Sequence, residues 1–173
     1  MSTLPIRQKL IEIARREVGV KEVGRNTGKR VREYQAATNL EGTGWPWCAA
    51  FVCWCIREWG KDQEVLAALK MTPAQFEKWR PKTAAAFGLE DWARKKGLEV
   101  LDADDKPTLR TGDILTFDTS HTGFVADDAR GIIKTIEGNT GATGGRDGDG
   151  VWDKSRNFKE SRRFIRLLQP LMQ

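Results

Sequence analysis

Trp45-Pro-Trp-Cys48-Ala-Ala-Phe-Val-Cys-Trp-Cys-Ile-Arg-Glu-Trp-Gly60 is the stretch on which the reading of this chain turns. A proline suits the opening turn of a helix and a glycine its end, so Pro46 and Gly60 bracket a helix expected over 47–59. Positions 47–56 are apolar on every side, as in a helix at the centre of a fold. Cys48 falls at the N-terminus of that helix, where unpaired backbone N–H groups and the helix dipole favour a thiolate over a thiol. The chain has three cysteines, Cys48, Cys53 and Cys55, and one histidine, His121.

A Cys₃His set can bind zinc, but helix geometry opposes it here. At about 100° per residue Cys53 points roughly 140° away from Cys48, and Cys55 lies about 10 Å further along the axis. Zinc needs its sulfurs within about 4 Å of one another. An odd, tightly clustered set of cysteines also argues against a disulfide framework. Cys53 and Cys55 are therefore expected to fill the core as small hydrophobes, and Cys48 remains as the candidate nucleophile.

Outward from this segment the pattern is helical first. Ile6, Leu10, Ile13, Ala14 and Val18 recur at helical spacing after Pro5,. A second helix is expected over 27–37, capped by Asn26 or Thr27, with Val31 and Tyr34 turned inward. Residues 61–83 read as an irregular, polar connection holding a short helix over 73–79. A further helix over 84–96 ends at Gly97. The period then changes to two, predicting strands over 98–101, 113–117, 121–125, 132–137, 150–152 and 163–167. Helices followed by a run of short strands imply an α+β fold, with N-terminal helices packed on a small antiparallel sheet.

Length and composition fit that frame. A chain of 173 residues is read as one domain spanning 1–173, with a sizeable core,. Its 39% hydrophobic content, 31% charged content and mean hydropathy of −0.54 are those of a soluble globular protein. No apolar stretch approaches the ~20 residues that span a bilayer. Met1-Ser-Thr-Leu-Pro5 leads into a mixed charged run rather than a secretory signal, so synthesis in the cytoplasm is expected,. The net charge of +5 implies attraction to an anionic envelope,. Lys154, Arg156, Lys159, Arg162, Arg163 and Arg166 concentrate it late, where they read as a solvated face of the last hairpin. No nucleic-acid-binding motif accompanies them.

The order Cys48, His121, Glu137, Asn139 suits acyl transfer, because a thiol nucleophile needs a base and the base needs a third group to orient it. On a strand His121, Gly123 and Val125 share one face, and Gly123 leaves room beside the imidazole for a backbone or a substrate. Glu137 and Asn139, two apart, point to one side if their strand continues. With a neighbouring antiparallel strand, the imidazole and the Glu137 carboxylate would meet.

Gly44-Trp-Pro-Trp-Cys48-Ala-Ala-Phe-Val52, Gly112-Asp-Ile-Leu-Thr-Phe117, His121-Thr-Gly-Phe-Val125 and Ile136-Glu-Gly-Asn-Thr140 together resemble a CHAP domain. These are cysteine- and histidine-dependent amidohydrolases and peptidases of the papain-like NlpC/P60 group. The resemblance spans roughly residues 20 to 167. It implies Cys48 as nucleophile, His121 as base, and Glu137 with Asn139 as the carboxylate and amide that support it. It implies bacterial peptidoglycan as substrate, cut at a stem-peptide or muramoyl–alanine amide, with no cofactor. A compact, basic, monomeric phage endolysin acting at the cell wall or periplasm fits best. A secreted antibacterial effector amidase, or an inactive wall-binding or phage structural protein, are the alternatives. Asn26, Tyr34, Trp45 and Trp47 are the candidate groove residues. Some relatives bind calcium through acidic loops. Asp147-Gly-Asp149-Gly150 holds only a fragment of such a loop, so a Gly-rich turn and no metal are expected.

Overall fold

The computed structural model describes residues 2–127, 131–141 and 148–168. Among them α1 (Leu4–Arg16), α2 (Lys29–Gln35), α3 (Cys48–Trp59), α4 (Gln63–Leu69), α5 (Pro73–Trp79) and α6 (Ala86–Lys95) come first. The strands β1 (Glu99–Asp102), β2 (Ile114–Phe117), β3 (His121–Val125), β4 (Ile133–Thr140), β5 (Gly150–Arg156) and β6 (Ser161–Arg166) follow. They form one antiparallel sheet in the order β1-β6-β2-β3-β4-β5. This is the α+β class that the change of period implied.

The central helix is α3. Every residue from Cys48 to Ile56 is buried, and Trp59 with them. Fully burying side chains such as Phe51 and Ile56 stabilises the fold by about 1.5–3 kcal/mol each. Ile114, Phe124, Ile136, Val151 and Ile165 of the sheet join the helices in the main core. Leu115, Phe117, Val125, Ile133 and Phe164 form a second, smaller core with Ala103 and Leu109. The alternation of the strands thus serves two apolar layers, and the sheet has no broadly solvated face.

Three expectations need correction. The connection 61–83 contains a helix, α4, that the polar reading passed over. Asp62 caps it, its side chain accepting from Glu64 N and Val65 N, and Val65 and Leu66 are buried. The cap of α2 is Gly28 at φ +125°, with no side-chain hydrogen bond, and not Asn26 or Thr27. Lastly, β5 and β6 are not a hairpin: β6 inserts between β1 and β2, while β5 lies beyond β4. Pairing across the sheet, not sequence adjacency, decides where the late basic residues go.

Candidate active site

Cys48 is the first residue of α3. The preceding residue, Trp47, offers no side-chain cap, so no side chain takes up the N–H groups of the first helical turn,. Cys48 retains 5% exposure, whereas Cys53 and Cys55 are at 0%. Burial pushes the Cys53 thiol up to about 12, and the thiol donates to the Thr83 carbonyl at 3.4 Å. The same burial drives Cys55 well above the ordinary thiol range. Both are kept as thiols in the core, which leaves Cys48 as the sulfur available for chemistry.

His121 opens β3, stacked on Phe117 directly opposite it on β2, with ring centroids 5.5 Å apart. The pairing of Phe124 with Ile136 and Val125 with Thr135 sets β4 alongside. The Glu137 carboxylate then meets the ring: His121 Nε2 and Glu137 Oε2 are 2.8 Å apart. Gly123 makes this possible. A Cβ there would lie 2.5 Å from Glu137 Cγ and 2.8 Å from the Ile136 carbonyl oxygen. The space that the glycine provides is therefore filled by the carboxylate side chain and its backbone, not by substrate. At Gly138 a Cβ would come within 2.7 Å of Phe51 Cβ, so this glycine lets β4 approach α3.

Glu137 is completely buried, and its two oxygens are fully engaged. Arg156 of β5 grips it with two parallel bonds, Nε to Oε1 at 2.8 Å and Nη2 to Oε2 at 2.7 Å. The Thr135 hydroxyl donates to Oε1 at 2.6 Å. Arg156 also lies over the Phe117 ring, 4.9 Å from its centroid. Phe117, His121, Glu137 and Arg156 therefore close a ring of contacts.

The electrostatics follow from these partners. Burial works against the Glu137 anion, but Arg156 and then His121 outweigh it and hold the carboxyl down to about 2. Burial likewise disfavours the His121 cation. Cys48 and Glu137 together overcome that penalty, and the imidazole is pushed up to about 9. Nε2 belongs to Glu137, and Nδ1 is buried without a hydrogen-bond partner. Cys48 is close enough to head the influences that raise the imidazole, yet the contact lacks formed hydrogen-bond geometry. Such bonds commonly tighten only when substrate is in place.

Asn139 is placed differently from the expectation. The β4–β5 register shifts between Glu137 and Thr140, and Asn139 adopts a left-handed backbone, φ +54°. The simple alternation that would align it with Glu137 is broken there. Asn139 is buried, makes no hydrogen bond to the imidazole, and has an unpartnered Oδ1. An unpaired buried acceptor costs about 1–3 kcal/mol, a departure from the rule that native interiors satisfy their polar groups.

The four groove candidates separate. Tyr34 and Trp47 are at 0% exposure, stacked on each other with centroids 5.5 Å apart, and are core residues. Tyr34 donates to Glu17, and Trp47 Nε1 donates to Glu22 at 3.0 Å. Reading them as groove residues is corrected: both side chains are fully buried, and their polar tips are spent on Glu17 and Glu22. Trp45 packs half-buried against the core, its Nε1 without a partner. Asn26 does line a groove of about 870 Å³, with Glu22, Pro46, Gly141, Asp149 and Trp152. This groove runs past Pro46, just ahead of the helix carrying Cys48. A smaller hollow of about 300 Å³, lined by Phe117, His121, Arg156, Lys159 and Glu160, opens on the other partners. A further groove, about 940 Å³ beside Glu17, Arg30 and Trp54, contains none of these groups.

Sequence reasoning missed Arg156, placing it with a solvated basic face. That face does not exist as a unit. Arg162 pairs with Glu90 at 3.0 Å, Arg163 with Asp102 at 2.9 Å and Arg166 with Glu99 at 3.1 Å. Lys154 donates to the Gly141 carbonyl at 2.7 Å, which leaves Lys159 as the exposed member. Trp152, Lys154 and Arg156 alternate as the half-buried positions of β5, a period-two signal visible in the sequence. Of the acidic fragment at 147–150, Asp147 lies outside the described residues, while Asp149 accepts from Trp152 Nε1 at 3.2 Å. Among the described residues no three His, Cys, Asp or Glu side chains are grouped as metal ligands. No helix among them is long and apolar enough to cross a membrane.

Comparison with protein families gives a match over residues 40–139 to the model described as CHAP domain. The matched segment runs from just before α3 to Asn139, and so includes Cys48, His121 and Glu137. No curated protein and no solved structure was found to match the chain.

Proposed function

The chain belongs to the CHAP-domain family, whose members are in general cysteine- and histidine-dependent peptidoglycan amidases or peptidases, and we propose that it hydrolyses a peptidoglycan amide through a thioester on Cys48. The observation that carries this reading is the line of groups from Cys48 through His121 to Glu137, in a segment matched by the family.

In this mechanism the Cys48 sulfur, paired with the His121 imidazolium, attacks the amide carbonyl. The oxyanion is stabilised by backbone N–H groups at the start of α3, that of Cys48 included. His121 then passes its proton to the leaving amine, and the C–N bond breaks to leave the thioester. Water, deprotonated by His121, hydrolyses the thioester and restores the thiol. Glu137 keeps the imidazole oriented and its cation stable throughout. Asn139 supports the turn behind Glu137, and Asn26 with Trp45 borders the approach to Cys48.

The role proposed is that of a phage endolysin, a monomer acting on the cell wall, with the net charge of +5 favouring approach to an anionic envelope,. The scissile bond is a stem-peptide amide or the muramoyl–alanine amide. The test is clearing of a purified peptidoglycan suspension, with mass spectrometry of the released fragments. New amino and carboxyl termini, absent with Cys48→Ala, are the expected result. Intact glycopeptide after prolonged incubation would refute the reading.

A further inference from the structure

Next to the Cys48–His121–Glu137 line stands a polar side chain that the mechanism does not use, Arg156. Its side chain is only 11% exposed, and three separate contacts fix it. Two of its N–H groups go to the two oxygens of Glu137, and its guanidinium plane covers Phe117. Phe117 in turn stacks on His121. A second carboxylate, Glu160, touches the remaining nitrogen at 3.5 Å.

We propose that Arg156 is a positioning residue for the proposed hydrolysis. Its planar fork holds Glu137 ionised and fixed in orientation, so that the imidazole keeps Nε2 on the carboxylate and Nδ1 toward Cys48. The inference rests on the hydrolase reading for its kinetic consequences, but its structural consequence stands without it.

The physical argument is one of desolvation and geometry. A carboxylate buried as deeply as Glu137 would take up a proton readily if its only partner were an imidazole. Arg156 supplies a permanent positive charge and occupies one lone-pair direction on each oxygen. Thr135 takes another on Oε1, which leaves Oε2 aimed at His121. The other charged groups near the cluster do not replace it. Lys154 on β5 is turned to the Gly141 carbonyl. Lys159, Glu160 and Asp118 line the hollow beside Arg156 without touching Glu137, and Cys48 on α3 acts on the imidazole and not on the carboxylate. Lysine in place of Arg156 would keep a charge but could neither grip two oxygens nor stack flat on Phe117.

The test compares R156M and R156K with the wild type in kinetics on purified peptidoglycan. It adds proton NMR of the imidazole Hε1, which is unambiguous because His121 is the sole histidine. R156M is expected to lower kcat about 10- to 100-fold with KM changed less than about threefold. The acid limb of kcat/KM should also move up by at least about one pH unit. R156K should keep more of the acid limb than of kcat. In an E137Q background R156M should cost no more than about twofold further, because the group it positions is gone. A residue needed merely for folding would show the same loss in both backgrounds. The Hε1 resonance of R156M should show a transition between about pH 3 and 5, where wild type, with Glu137 held near 2, stays flat,.

Wild-type kcat and acid limb in R156M overturn the proposal, as does an equal loss in the E137Q background. If R156M does not fold, R156K decides: an unchanged kcat overturns the proposal and a loss of at least about fivefold supports it. Wild-type protein inert on every wall preparation would sink the hydrolase reading, and the NMR comparison would still judge Arg156.

Discussion

At Glu17, just past α1, an arginine fork and a tyrosine hydroxyl close on a buried carboxylate: Arg30 Nε and Nη2 donate at 2.8 and 2.6 Å, and Tyr34 adds its hydroxyl. At Glu137 the fork is that of Arg156, and the third partner is an imidazole. Both arginines lie over aromatic rings, Arg30 over Trp54 at 4.6 Å and Arg156 over Phe117 at 4.9 Å. Both carboxyls are held below their ordinary range against the opposing effect of burial. The two sites part at the third partner. Burial, and then Glu17, drive the Tyr34 hydroxyl far above the range in which it could release its proton. The His121 proton is held only to about 9, beside a sulfur at a helix N-terminus. One clamp ties the helices together and the other makes a proton available. A buried Arg–Glu pair is therefore no sign of chemistry until a mobile proton and a nucleophile stand beside it.

Substitution of the third partner should separate the sites most widely. His121→Ala, like Cys48→Ala, should cut clearing of purified peptidoglycan by at least about 10⁴-fold while thermal melting shows a folded protein. Tyr34→Phe should leave the rate within about twofold and lower stability by about 1.5–3 kcal/mol, the loss of a hydrogen bond to a charged group. A Tyr34→Phe enzyme as dead as His121→Ala would erase the distinction. Next in size, Glu137→Gln should cost on the order of 10²-fold or more in kcat, because the amide cannot stabilise the imidazolium. Glu17→Gln should spare kcat and lower the unfolding free energy by about 1–3 kcal/mol in denaturant titration, since Arg30 is partly solvated and recovers water.

The two sites should also answer differently to pH. His121 is raised from 6.5 to about 9, so its contribution to stability is full below 6.5 and fades as pH climbs through about 9,. Glu137 is lowered from 4.5 to about 2, so its share is present above 4.5 and is lost as pH falls toward 2,. Tyr34 adds no alkaline transition in that range. Melting temperatures of wild type and His121→Ala measured from pH 6 to 10 should therefore converge as the pH rises, and kcat should drop above about 9 as the imidazolium is lost. Parallel melting curves across that span would contradict the assignment. The smallest effects belong to Cys53→Ala and Cys55→Ala, each expected to cost roughly 1 kcal/mol in stability and to leave kcat unchanged in the clearing assay.

Much of this arrangement was legible in the chain because it is local. The all-round apolar run places α3 at the centre, Pro46 and Gly60 set its ends, and Cys48 follows at its start. The strand carrying His121 has the bounds expected from its alternation, 121–125. What escaped was set by non-local pairing. Arg156 reaches Glu137 only because β5 lies against β4, with Glu137 opposite Trp152, and nothing in a run of basic residues reveals its cross-strand neighbour. The insertion of β6 between β1 and β2 sends Arg162, Arg163 and Arg166 to buried or half-buried pairs for the same reason. Tyr34 and Trp47 belong to the core although amphipathic aromatics serve a groove and a core equally well, and only the packing around their rings decides,. The helix α4 was a different kind of miss: Asp62 followed by Val65 and Leu66 was a readable capping signal,.

The central claim is that one sulfur, Cys48, becomes acylated with His121 as its proton partner. Acid quenching of the enzyme during turnover of purified peptidoglycan, followed by mass spectrometry of its peptides, observes that bond directly. A wall-derived acyl group on the peptide containing Cys48, labile to hydroxylamine and missing in His121→Ala, is the outcome expected. Turnover with Cys48 unmodified at every quench time, or persisting in Cys48→Ala, would contradict the claim.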